Sequence, residues 1–187
     1  MADLNFTQQE RRSYLVPALL ALVVLAIFLG YFFWRTPMRM ANATVTHVAV
    51  FPVHTTLDSG SHLVGIGDQA QDDLYVLVNV RIDNRLHIPL FLSDFNAAYT
   101  APDDTVTETN AVEANDLNNL ALTFPAMKPL ETTPLLREST IPADSHAEGM
   151  VILHFLIPQS DWDQRKSATL TITFYHQGSM TIPIPKS

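Results

Sequence analysis

The sequence predicts an all-β, immunoglobulin-like antiparallel β-sandwich of about seven strands, preceded by a single N-terminal transmembrane helix. Two observations carry this reading. An uninterrupted apolar run extends from Leu15 to Trp34, and from Thr44 onward the apolar period becomes two, punctuated by clusters of turn residues. A chain of 187 residues accommodates one ordinary domain plus an accessory segment. The expected division is an N-terminal cytoplasmic segment (1–13), the transmembrane helix (14–35), a stalk (36–43) and an extracytoplasmic sandwich (44–187).

The apolar run, LVPALLALVVLAIFLGYFFW, has no ionisable side chain except the phenol of Tyr31. Its length, at about 1.5 Å rise per residue, matches the roughly 30 Å hydrocarbon thickness of a bilayer. Arg11 and Arg12 bound it on one side, Arg35 and Arg39 on the other. Tyr14 at one end and Tyr31 to Trp34 at the other stand where aromatic rings favour the headgroup region. Pro17 falls in the first turn, where its missing N–H costs little. Ala41-Asn42-Ala43 resembles a signal-peptide cleavage site. The run is longer than a typical signal-peptide core, however, and ends in bulky aromatics and arginines, so an uncleaved anchor is the expectation. The flanking arginines are evenly matched across the run; the free terminal amine tips the balance towards an inside N-terminus and a periplasmic domain. The segment 36–43 is short, carries the polar residues Thr36, Arg39 and Asn42 and includes Pro37, which reads as a stalk.

In the domain, Val45, His47, Ala49 and Phe51 alternate with Thr44, Thr46, Val48 and Val50, predicting a strand. The row Leu74, Val76, Val78, Val80, Ile82 is apolar throughout while the opposite row turns polar, predicting a strand with one face on a core. Further strands are expected at 90–99, 120–124, 150–157, 169–175 and 180–184. Residues 108–119 form the main loop, with room for one short helix. Pro183 and Pro185 cannot donate in a central ladder, which puts the last strand at an edge.

The segment from Leu74 to Asn84, followed by Ile88-Pro-Leu90 and Ser93-Asp-Phe95, resembles the first half of the telokin-like, late-embryogenesis-type immunoglobulin-like domains. Ile141 to Pro158 is similar to the turn, glycine, apolar strand and closing proline of that family's second half. The resemblance covers about residues 74–175. It implies a binding and scaffolding module of the cell envelope without its own catalysis, and carries over no site residues.

Charge and chemistry narrow the function further. Four of the 11 basic residues flank the anchor, leaving seven for the domain, against 17 of the 19 acidic ones. The domain's balance of about −10 repels phosphate backbones, so no nucleic-acid partner is expected. The chain has no cysteine, which removes disulfides, thiolate metal sites and cysteine nucleophiles. Asp58-Ser-Gly-Ser-His62 holds the residue types of a hydrolytic triad, but neighbours in one tight loop seldom converge in the required order; it reads as a polar hairpin loop. Gly65-Ile-Gly67 lacks the third glycine of a dinucleotide fingerprint. The seven histidines include no pair at metal-ligand spacing, and Asp72-Asp73, Asp103-Asp104 and Asp161/Asp163 have no calcium-loop spacing. His154, in an apolar strand, reads as a half-buried histidine with one hydrogen-bond partner. No catalytic, cofactor-binding or metal residues, and no cofactor, are expected.

What remains is contact. Ala18, Ala21, Ala26 and Gly30 offer small side chains for close helix approach. Trp34 lies at the interface, and Trp162, between two aspartates, is a candidate contact anchor whose competing role is to cap the end of the sandwich. The expected function is a non-catalytic, single-pass accessory subunit of a larger bacterial membrane complex, of the respiratory or photosynthetic electron-transfer kind. Its partners would be other membrane-protein subunits and, through residues 14–35, the lipid bilayer. The alternative is a membrane-anchored binding module for an envelope lipid, glycan or peptide.

Overall fold

The computed structural model describes residues 15–35, 40–57 and 69–186, with side chains for 15–31, 40–55 and 71–186. The chain divides into two compact units, 1–38 and 39–187. The described part of the first is one helix, α1 (Leu15–Arg35), apolar along its length and without an acidic residue in its first turn. Its side chains from Phe32 onward, Trp34 included, lie outside the described residues. Among the described residues no helix is long and apolar enough to cross a membrane.

The second unit is mostly β, in two antiparallel sheets. In chain order its elements are β1 (Ala41–Leu57), β2 (Gln69–Asn84), β3 (Leu90–Thr100), β4 (Val106–Asn110), α2 (Ala114–Thr123), a 3-10 turn (Pro125–Leu130), β5 (Thr140–Ile141), β6 (His146–Phe155), α3 (Gln159–Gln164), β7 (Ser167–Phe174) and β8 (Gly178–Pro183). One sheet has the order β1-β2-β6; the other runs β4-β3-β7-β8, with β5 pairing β3. β1 opens at Ala41, so the last three residues assigned to a stalk are already paired strand, Ala41 opposite Asn84. β8 is an edge strand and Pro183 is its last residue, as its missing N–H requires.

The core lies between the sheets. The predicted row Leu74, Val76, Val78, Val80 and Ile82 is fully buried there, against Phe95, Leu170, Ile172 and Phe174 of the other sheet. Burial of each aliphatic side chain of this kind contributes about 1.5–3 kcal/mol.

Two bulges shift the alternation expected from sequence. The register steps from Val45 opposite Val80 to His47 opposite Asn79, which leaves Thr46 unpaired. Beyond it Val48 and Val50 join Val45 on the core face, while Ala49 and Phe51 turn to the outer face. The expected row Val45, His47, Ala49, Phe51 is therefore split, because one extra residue reverses every later side chain. In β3, Ser93 is the extra residue; Leu90 and Leu92 face the core before it, Phe95, Ala97 and Tyr99 after it.

The strand expected at 120–124 is instead the end of α2. Leu117, Leu120 and Phe124 recur at helical spacing and pack, with Met127 and Leu130, on Leu77, Met150 and Ile152. This segment covers the outer face of the three-stranded sheet. Met150, Val151, Ile152 and Leu153 are consequently all buried, an unbroken run that only a strand covered on both faces shows.

Candidate ligand cleft at the β6 edge

The free edge of β6 is covered by two short pieces of chain. After β4, Ala111 lies opposite Leu153, and the Val112 N–H donates to Ile152 O at 2.8 Å. The chain then leaves to form α2 and the 3-10 turn. On its return, Met150 N–H donates to Thr133 O at 2.8 Å and Leu135 N–H to Met150 O at 2.9 Å. The return is so close that a Cβ on Gly149 would stand 2.9 Å from both Cβ and N of Leu135.

Between the departing and returning pieces opens a cleft of about 370 Å³. Phe95, Leu117, Leu135, Met150 and Ile152 supply apolar lining, and Glu113, Arg137 and Glu138 are its charged groups. A wider, more open hollow of about 910 Å³ adjoins it, sharing Ala111, Val112, Glu113 and Arg137 and reaching Asn96 and His154. The first volume falls within the range of small-molecule sites, which combine apolar walls with few polar groups.

Arg137 stands where the two cavities meet. Its Nη2 pairs with Asp94 Oδ1 at 2.9 Å and donates to Ala111 O at 3.2 Å, and its Nη1 pairs with Glu113 Oε1 at 3.1 Å. Its Nε is buried and has no partner among the described residues. Glu113 is largely exposed, so its ion pair contributes under about 1 kcal/mol. Two carboxylates on one guanidinium leave the group net negative, and Glu138 adds to that; an anionic ligand is disfavoured.

At the hollow's other end, His154 Nε2 lies 2.7 Å from Asp73 Oδ1, and its ring stacks on Tyr75 at 4.6 Å between centroids. This is the half-buried, singly partnered histidine expected from sequence. Burial raises the Tyr75 phenol pKa, and the Asp73 charge raises it further. The nearby Thr109 hydroxyl is committed to the His154 carbonyl oxygen at 2.6 Å. The arrangement suits holding a ligand by apolar contact and a few hydrogen bonds; no nucleophile is hydrogen-bonded to the histidine ring among the described residues.

Trp162, the candidate contact anchor, is fully buried. Its ring stacks on Tyr99 and lies 5.4 Å from the Phe155 ring, while the Arg165 guanidinium sits 4.1 Å from its centroid. Arg165 is itself buried, which lowers its pKa, and donates to the carbonyls of Trp162 and Pro185. Trp162 therefore caps the sandwich and has no surface to offer a partner. Ala18, Ala21 and Ala26 are exposed on α1, and among the described residues nothing beyond the local helix backbone lies within 4 Å of where a Cβ on Gly30 would be. The loop from Asp58 to His62 and Gly65-Ile-Gly67 lie outside the described residues. Asp72 pairs with His54 at 2.6 Å and Asp104 with Lys166 at 2.5 Å, while Asp103 accepts from the Thr105 N–H. Among the described residues no group of three or more His, Asp or Glu is placed to hold a metal ion.

The residues that sequence reasoning missed are Asp94, Glu113 and Arg137, far apart in the chain and joined only by the fold. One signal was available: Arg137 is the sole basic residue between Lys128 and Arg165.

No family model matches the chain, and no curated protein does. Among solved structures, a functionally unknown protein from Listeria monocytogenes EGD-e is similar over 81% of each chain at 8% identity, with a TM-score of 0.46. A Northeast Structural Genomics Consortium target is similar over 74% of this chain and 82% of its own at 8% identity, with a TM-score of 0.33.

Proposed function

We propose that the protein is a membrane-tethered, non-catalytic binding module with an immunoglobulin-like sandwich, whose working site is the cleft beside Arg137. The observation that carries this reading is the cleft itself: a hollow at a sheet edge, lined about equally by apolar and polar groups, with a buried, unpartnered guanidinium N–H at its charged group. The tether rests on the sequence of α1. Its 21 residues extend about 32 Å at 1.5 Å each, and the run Leu15 to Trp34 is apolar throughout. The ligand class that fits is neutral or cationic with an apolar portion, such as an extended peptide segment.

A second reading, an accessory subunit of a larger membrane assembly, is favoured by α1. Around Gly30 the backbone is open to close approach by another helix, with Ala26 one turn before it.

Native mass spectrometry of the full chain purified in mild detergent separates the two. A bound species present in the wild type and lost in Ala114→Trp, which fills the cleft from the start of α2, supports the module. The same species retained in that variant, or a bare monomer, overturns it.

A further inference from the structure

We infer that the end of the sandwich at which the chain enters is a lipid-contacting surface, with Ile88, Phe91 and Tyr175 seated in the headgroup region of the bilayer. The inference rests on the tether proposed above and adds the orientation of the domain on the membrane.

These side chains are exposed apolar groups: Ile88 is 56%, Phe91 42% and Tyr175 44% exposed, while the domain's other exposed large apolar side chains, Val106, Leu122, Leu136 and Leu156, lie on other segments. The fold gathers them at one end. Tyr175 N–H donates to Phe91 O at 2.9 Å, which makes the two neighbours on the outward face of their sheet. Gln177 ties the group to the adjoining turn, accepting from the Phe91 N–H and donating to Pro89 O. Asn84 fixes that turn: its buried amide donates to the carbonyls of Ile88, Ile141 and Pro142, and its Oδ1 accepts from the Leu86 N–H. Ile88 is thus held outward by a buried polar clamp. A shallow hollow of about 430 Å³ lies between Phe91, Glu138, Tyr175 and His176.

Chain length identifies the occupant. The chain enters this same end at Met40, which touches the position a Cβ on Gly178 would take and accepts from the Arg85 N–H. Only residues 36–39 precede it after Arg35, and four residues reach roughly 14 Å at full extension. The opposite end of the sandwich is farther off, since the stretch of β2 from Leu74 to Asn84 alone runs about 33 Å at 3.3 Å per residue. With α1 in the bilayer, this end is the one the link holds at the lipid surface. Its chemistry suits that place: aromatic and aliphatic side chains with Arg85, His87 and His176, in a domain that is acidic overall. Of the carboxylates here, Asp144 is paired with His87 at 2.9 Å, and Glu138 is exposed beside the hollow.

The absence of cysteine allows a direct test. Nitroxide labels are placed singly at Ile88→Cys, Phe91→Cys and Tyr175→Cys, and at Gln159→Cys on the opposite end, in the full chain reconstituted into phosphatidylcholine–phosphatidylglycerol vesicles. The expected result is several-fold protection of the first three from a water-soluble nickel chelate, with ready collision with oxygen, while the label at 159 stays open to the chelate. Labels at 88, 91 and 175 as open as that at 159 overturn the inference. Shielding from both colliders means protein covers the patch, and overturns it too. Extraction by alkaline carbonate tests the tether separately: a chain that washes off the vesicles fails on its anchor, whereas one that stays with water-exposed labels fails on this inference alone.

Discussion

Trp162 shows how much a residue's meaning depends on what surrounds it. Flanked by aspartates and following a proline, it suits either a contact anchor or a cap, and the aromatic cluster with Tyr99, Phe155 and Arg165 makes it a cap. That cluster has a pH signature. Burial raises the Tyr99 pKa above its usual value of 10.0, with the charges of Asp161 and Asp103 adding to the shift and Arg165 opposing it. Because the folded protein holds the phenolic proton more tightly, the stabilisation is complete below about pH 10 and is lost as pH rises towards the folded pKa. Melting temperature should therefore fall above pH 10, and Tyr99→Phe should make that fall shallower. It should not abolish it, since the Tyr75 pKa is raised as well. At neutral pH the same variant should lose about 1 kcal/mol with the hydrogen bond to Asp161 O. An unchanged alkaline slope in Tyr99→Phe would contradict this account. Arg137 is the opposite case from Trp162. An arginine standing alone between Lys128 and Arg165 is visible in sequence, but its partners at 94 and 113 are not, because contacts between distant segments leave no local pattern.

At the scale of elements, β2 was legible from Leu74 onward, though not its first residues, Gln69 to Asp73. Its apolar row from Leu74 to Ile82 is unbroken; β1 pairs with the strand along its length and β6 from Leu74 to Asp83. β1 and β3 were legible as strands but not face by face, because a bulge inserts one residue without changing composition, and Thr46 and Ser93 resemble any other polar strand residue. α2 was misread over 120–124. In Leu-Ala-Leu-Thr-Phe a short apolar run fits either period, and the decision came from a sheet face that needed covering. The return of the chain along β6 makes a prediction of the same kind. Gly149→Ala places a methyl group 2.9 Å from backbone and side-chain atoms of Leu135. Overpacking of this kind costs about 1–3 kcal/mol. Urea unfolding should show that loss, together with faster amide exchange at Leu135 and Met150, whose N–H groups make the pairing. Wild-type stability in Gly149→Ala would mean the 133–135 segment is not held against β6.

For the whole molecule, the proposed tether makes a prediction about topology, since Arg11 and Arg12 precede the apolar run and Arg35 and Arg39 follow it. A C-terminal fusion to a reporter active only outside the cytoplasm should give signal, in keeping with an inside N-terminus. Signal only from a reporter active in the cytoplasm reverses the topology. The sequence alone determined what depends on neighbours along the chain: an apolar helix at the N-terminus, a strand-rich domain after it, a last strand confined to an edge by proline. Tertiary structure alone decided what depends on neighbours in space: the bulged registers, the helix over the three-stranded sheet, the burial of Trp162, and the cleft where Asp94, Glu113 and Arg137 meet. The physical reason is that backbone periodicity is written in each segment, whereas a cavity exists only in the space that separate segments leave between them.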